Sequence, residues 1–311
     1  MQLGAKQFLN PGFEYTEYHT AAAAILPVPY EGGVSYGTGT ARGPDAVIEA
    51  SAHLELYDEM LNAEPYRMGI ATVLPPEIFM DAQRTQASVY ATIKTMIRED
   101  KFVVMLGGDH SLSSGYVRAL HEKYHQVSVI QLDAHADLRD SFENSAYSHA
   151  CAMSRIRELT GSTLQLGIRS MSVEEARKIE REKVTVCTMS AYRRGEFDVY
   201  TALDALAEPV YLTVDVDVFD WSVIRSTGTP EPGGISWDEA LVLMHQIFMK
   251  KNVVGVDVVE LCGDPNDRNS AFAAAKLIYK MLGLKLAAEV SRGKLSWPDK
   301  PHGALFKIKG H

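Results

Sequence analysis

The sequence predicts an α/β protein in three layers, a mostly parallel central sheet with helices on both faces. Short apolar, β-branched runs alternate with helix-length segments along nearly the whole 311-residue chain, the pattern of a parallel sheet buried on both sides. No low-complexity linker and no internal repeat interrupts that alternation, so residues 1–311 read as one domain. Polar chemistry gathers where the apolar runs end, which is where open α/β sheets place their sites.

The first twenty residues lack periodicity and read as an irregular arm. Residues 22–29 form a first buried strand that stops at prolines, followed by the glycine-rich loop Glu31–Gly39. That loop lacks the spacing of a phosphate-binding GxxxxGK[ST] turn, so it reads as a shaped turn near a site. Gly43-Pro44-Asp45 opens a helix running to about Tyr57, with proline at a tolerated early position. Helices are expected over 82–99, 113–124, 149–159, 173–181, 237–249 and 271–284. Strands are expected over 101–106, 127–130, 163–168, 209–214 and 253–258. Residues 291–311, rich in Lys, Gly and Pro, read as a peripheral tail that packs on a neighbouring subunit.

Composition removes several function classes. Hydrophobic residues make up 46% and charged residues 23%, as in a soluble globular protein. Lys+Arg 31 against Asp+Glu 40 gives a net charge of −9, which disfavours nucleic acid and favours a cationic substrate. The apolar run 21–29 is too short to span a bilayer. Three cysteines, Cys151, Cys187 and Cys262, imply no disulfide framework. A cytoplasmic setting follows as the expectation.

Four strand ends carry the candidate chemistry. After Val103–Leu106 come Gly107-Gly108-Asp109-His110-Ser111, where the glycines allow a sharp turn and Asp109 either orients the His110 ring or caps the next helix. After Val127–Ile130 come Asp133, His135 and Asp137 at alternate positions, which in extended chain share one face. Asp215 and Asp217 repeat that spacing after Tyr211–Val214, and their like charges need a cation between them. Glu260 ends the run Val256-Asp257-Val258-Val259. His149 lies a dozen residues past Asp137 without an obvious apolar niche. Carboxylates flanking imidazoles suit a hard or borderline divalent metal.

These motifs, in this order and spacing, resemble the ureohydrolases of the arginase/agmatinase superfamily. Leu138-Arg139-Asp140, Tyr147-Ser148-His149 and Gly228-Thr229-Pro230-Glu231-Pro232-Gly233-Gly234 resemble the agmatinase branch. The resemblance implies an arginase-like fold and a binuclear centre of two Mn²⁺ per subunit, with nickel, cobalt and iron not excluded by the donor set. It assigns His110, Asp133, Asp137 and Asp215 to one ion. Asp133, His135, Asp215 and Asp217 go to the other, with Asp133 and Asp215 bridging. Glu260 would pair with the substrate guanidinium, His149 would shuttle protons or bind substrate, and Asp137 would take or orient the proton of the attacking water. The implied reaction cleaves a guanidino group to urea and an amine, agmatine giving putrescine, in a homotrimer or homohexamer. Guanidinobutyrate, aminopropylagmatine and guanidine are alternative substrates of the same chemistry.

Some positions depart from the family. Asp220-Trp221 stands where relatives have Asp-Pro, and Leu261-Cys262-Gly263-Asp264 follows Glu260 where Ser-Pro or Ala-Pro is usual. Arg139 occupies the place of an arginase Asn that holds an α-carboxylate, which argues against an amino-acid substrate and makes Arg139 a substrate-binding candidate. The loops 31–39, 141–147 and 264–269 would shape the distal end of the pocket. Three other readings fit less well. A metallophosphoesterase places Asp-x-His before its glycine motif, the reverse of the order here. Thiol catalysis by Cys151 or Cys262 lacks a nucleophile context. A non-catalytic binding relative would have lost ligands, and none is lost.

Overall fold

The structure is a computed structural model and describes residues 1–298. Its centre is an eight-stranded sheet in the order β2-β1-β3-β8-β7-β4-β5-β6. The strands are β1 (Ala23–Val28), β2 (Ile70–Thr72), β3 (Phe102–Gly107), β4 (Ser128–Leu132), β5 (Thr163–Ile168), β6 (Thr185–Thr188), β7 (Val210–Asp215) and β8 (Val253–Val259). Every neighbouring pair is parallel.

Strand side chains alternate between two apolar layers, as the period of two requires. Ile25, Val104, Leu106, Ile130 and Leu132 enter the layer built with α1 (Gly43–Ser51), α8 (Trp237–Lys250) and α9 (Arg268–Ser291). Ala24, Leu26, Val103, Met105 and Val129 enter the other, with α2 (Ala82–Arg98), α3 (Ser113–Tyr124) and α4 (Ala152–Arg157). The three-layer reading holds.

Several helix starts are fixed by side chains that accept orphan backbone N–H groups. Asp81 caps α2, and Asp267 caps α9. Ser236 with Glu239 closes a capping box on α8, as Ser172 with Glu175 does on α5 (Val173–Glu182).

The departures from the sequence reading lie at edges and ends. β2 and β6 were not expected, nor were the short helices α6 (Met189–Arg193) and α7 (Val199–Ala205). α1 stops at Ser51 rather than near Tyr57, and α9 continues to Ser291, into the expected tail. The N-terminal arm is irregular but packed. Phe8, Leu9 and Tyr18 are buried, the Phe8 N–H donates to Thr72 Oγ1, and Leu3 bridges Val73. Residues 299–311 of the tail lie outside the described residues. Among those described, no helix is long and apolar enough to cross a membrane.

The sheet order matters for the site. β3, β8, β7 and β4, dispersed in sequence, lie side by side. Their register puts Leu106, Val258, Val214 and Leu132 in one row near the carboxyl ends. His110, Glu260, Asp215 and Asp133 all follow within four residues of that row.

Candidate metal centre and active site

β3 delivers His110 through a turn that only glycine allows. A Cβ on Gly108 would stand 1.7 Å from the Tyr30 carbonyl oxygen, and the chain uses this approach to donate from Gly108 N to Val28 O and from Asp109 N to Tyr30 O. Asp109 does not touch the His110 ring. Its Oδ1 caps the following turn at Ser111 N (3.1 Å), and its Oδ2 accepts from Gly32 N (2.9 Å) and Gly33 N (2.7 Å). The ring is held instead by Thr213, whose Oγ1 lies 2.9 Å from Nε2.

The Asp133–Asp137 trio converges by a different route from the one expected. β4 ends at Leu132, so strand alternation does not aim these side chains. The chain turns after the strand, Asp133 Oδ1 accepts from His135 N, and Asp137 adopts a left-handed φ of +52°. Likewise Asp215 is the last residue of β7, while Asp217 sits in the helical turn Val216–Val218 and donates its N–H to Asp215 Oδ1 at 2.9 Å.

His110 Nδ1 faces Asp133 Oδ2 at 3.1 Å, Asp137 Oδ2 at 3.1 Å and Asp215 Oδ2 at 3.4 Å, without a well-formed hydrogen bond to any of them. His135 Nδ1 lies 2.8 Å from Asp217 Oδ2 and 3.7 Å from Asp133 Oδ1. Two groups could therefore hold an ion, His110-Asp133-Asp137 and Asp133-His135-Asp217, with Asp133 common to both. Asp215 borders the first group through Oδ2. A buried ring nitrogen aimed into a ring of carboxylate oxygens is the donor set that a divalent cation completes. The residues fit a pair of such ions.

The electrostatics of the bare site point the same way. Burial, then repulsion from Asp133, pushes the Asp137 carboxyl up to about 7. Burial also raises Asp215 well above the carboxylate range, with Asp217 and Asp133 adding to it, and raises Glu260, with Asp109 adding. Asp133 moves down, because the adjacent His110 and His135 rings outweigh its burial. For His135, hydrogen bonds to Asp133 and Asp217 overcome burial and push it up to about 12. So many acids cannot ionise together in a dry pocket without positive charge.

Glu260 and His149 form the adjoining wall. Glu260 is buried, accepts from His110 N through Oε1 at 2.6 Å and adopts a φ of +64°. That same oxygen is 3.7 Å from His149 Nδ1. His149 Nε2 meets Ser35 Oγ at 3.1 Å, which brings the glycine-rich loop against the site. Burial, with the His135 and His110 charges, lowers the His149 pKa to about 4, so the ring is neutral at physiological pH.

A sequence model of the arginase family matches residues 21–283. The chain is 38% identical over 290 residues to the N(1)-aminopropylagmatine ureohydrolase of Synechocystis sp., covering 90% of this chain and 94% of that protein. It is 32% identical over 264 residues to the agmatinase of Pyrococcus horikoshii, covering 84% and 90%. In three dimensions it matches the agmatine ureohydrolase of Thermoplasma volcanium with a TM-score of 0.83 and 27% identity, covering 93% of this chain and 97% of that one. This chain belongs to the arginase family. It is an enzyme of that family, with the arginase-like α/β fold.

Within the arginase-family frame, Arg139 stands apart from the ligands. Its guanidinium lies over the Phe142 ring (4.7 Å) and 3.7 Å from the Glu175 carboxylate, while the Phe142 edge meets His149. Asp140 pairs with Lys178 rather than with Arg139. Burial raises the thiols of Cys151 and Cys187 to about 11 and of Cys262 to about 12, which leaves them un-ionised and poor nucleophiles. Several contributors escaped the sequence reading. Ser35 touches His149, Thr213 touches His110, and Arg169 donates to Asp217 O and Glu231 O, tying the Gly228–Gly234 segment to the end of β7. Serines and threonines give no motif. Arg169 follows an ordinary strand and could not be singled out.

Proposed function

We propose that this chain hydrolyses the guanidino group of agmatine to urea and putrescine, with two divalent ions, manganese foremost, held by His110, Asp133, His135, Asp137, Asp215 and Asp217. One observation carries the reading: Asp133 turns one carboxylate oxygen to each of two adjacent clusters, beside the buried acid Glu260. Cations held there would lower the pKa of a water enough to supply the attacking hydroxide near neutral pH.

The chain's own residues supply the rest. Glu260 offers a carboxylate to a planar guanidinium, a pairing favoured by charge and by paired N–H donors. Raised by burial, it gains most from a cationic partner. Asp137, beside the site of the attacking water, can accept a proton from it and return it to the departing amine. His149 is neutral and within reach of Glu260, so it can accept a hydrogen bond from substrate and relay a proton. Arg139, directed at Glu175 and Phe142, supports the His149 wall.

Aminopropylagmatine is the second reading, favoured by the 38% identity with the Synechocystis enzyme. Urea release from agmatine, aminopropylagmatine, guanidinobutyrate, arginine and guanidine decides between them. Agmatine is expected to give the highest kcat/KM, with the Asp137→Asn variant inactive. Preference for guanidinobutyrate would recast Arg139 as a carboxylate anchor. No urea from any substrate, with both ions bound, would overturn the reading.

A further inference from the structure

Behind His110, on the side away from the carboxylates, runs a buried polar chain that the proposed reaction does not touch. Asp257 lies in the middle of β8, in register with Thr213 of β7. It is fully buried in a strand whose other residues are apolar, and an acid in such a place is costly unless its hydrogen bonds return the loss. Asp257 Oδ2 accepts from Ser113 Oγ at 2.5 Å and also from the Tyr211 hydroxyl. Ser113 Oγ is 3.4 Å from Thr213 Oγ1, which in turn is 2.9 Å from His110 Nε2.

The direction of these bonds follows from the charge of Asp257. As a carboxylate it can only accept, so its Oδ2 takes the hydroxyl protons of both Ser113 and Tyr211. The Ser113 hydroxyl then has only lone pairs left for Thr213. Thr213 must spend its single proton on that side, which leaves its oxygen as an acceptor toward His110. Nε2 therefore keeps a proton, and Nδ1, which faces Asp133, Asp137 and Asp215, is the nitrogen left to a metal ion once that ion displaces any proton on it. A ring nitrogen's partner decides which nitrogen is free to bind a metal.

We propose that Asp257, acting through Ser113 and Thr213, is a positioning residue that locks His110 in the tautomer able to bind a metal ion; this rests on the binuclear-centre reading above. The relay reaches the His110 cluster only, and the His135 cluster has no part in it. Loss of the relay must then weaken one ion and spare the other.

The test is calorimetric titration of the chelator-stripped protein with manganese alone. Wild type is expected to take up two ions. Thr213→Val, which keeps the shape and removes the hydroxyl, is expected to weaken one of them by ~10- to 100-fold and leave the other unchanged. Asp257→Asn should weaken the same ion, because the amide can turn an N–H toward the hydroxyls and reverse the chain. Thr213→Ser should restore wild-type binding. Tyr211→Phe removes a hydroxyl from the same carboxylate but not from the relay, so it should lower Tm and keep both affinities. Wild-type binding of both ions by Thr213→Val and Asp257→Asn would overturn the proposal, as would a Thr213→Ser protein as weak as Thr213→Val. A wild type that binds no manganese would overturn the binuclear reading itself, and the two failures are distinguishable.

Discussion

At the scale of residues, the acids and imidazoles at the strand ends were legible because each follows an apolar strand that has no other use for a charge, whereas His149 stands beyond a loop. Asp133, Asp215 and Glu260 announce themselves in this way. Thr213, Ser113 and Ser35 do not, since a hydroxyl is at home in strand, helix or loop, and only the fold shows what it touches. Two predictions belong here. Glu260→Gln should keep both ions but lose the charge-assisted contact to the guanidinium, lowering kcat/KM for agmatine by ~10²-fold or more. Steady-state urea release beside metal titration checks it. The second concerns protons. Without metal, His135 holds its proton up to about 12, and His110 is likewise raised because three carboxylates overcome its burial. An ion must displace those protons, so manganese affinity should rise with pH, with more than about one proton released per pair of ions at pH 7. Titrations in two buffers of different ionisation heat measure that number.

At the scale of elements, the interior strands and longer helices were readable from period and length, and the edges were not. β2 has three residues and β6 is half exposed, so neither carries a long apolar run. The convergence of Asp133, His135 and Asp137 was expected from strand alternation, but it comes from a turn beyond the strand, with Asp137 in a left-handed conformation that no periodicity encodes. The glycine-rich loop shows how an element is pinned from outside itself. Asp109 accepts from Gly32 and Gly33, Glu31 accepts from Gly39 and Ala41, and a Cβ on Gly33 would press to 3.0 Å from His149 N. Asp109→Ala should free this loop at a cost of about 1–3 kcal/mol. Amide exchange over 31–39 should quicken, and KM should rise as Ser35 leaves His149. Exchange confined to other segments would show that the loop is held elsewhere.

At the scale of the whole molecule, the sheet gathers more negative charge than it can stabilise alone, and the sign of each pKa shift says how stability then follows pH. Asp137, Asp215, Asp217 and Glu260 are raised, each chiefly by burial. Acids raised on folding favour the folded chain at low pH and oppose it once pH exceeds their ordinary values. His135 and His110, also raised, contribute stability below about 6.5 that is lost as pH climbs toward their folded values. His149, lowered to about 4, acts the other way, but its contribution is complete by about 6.5. Asp133, lowered, finishes titrating lower still. Above pH 6.5 the site terms therefore all run in one direction, and metal-free protein should lose stability as pH rises. Bound cations take the place of the missing protons, so the loaded protein should change far less. Free ion at a hundredfold excess over Kd adds about 2.7 kcal/mol per site. Thermal melts at pH 6.5 and 8.5, with manganese and with chelator, should show a Tm gap that widens with pH. A gap independent of pH would mean that the protons and the ions do not compete for the same cluster.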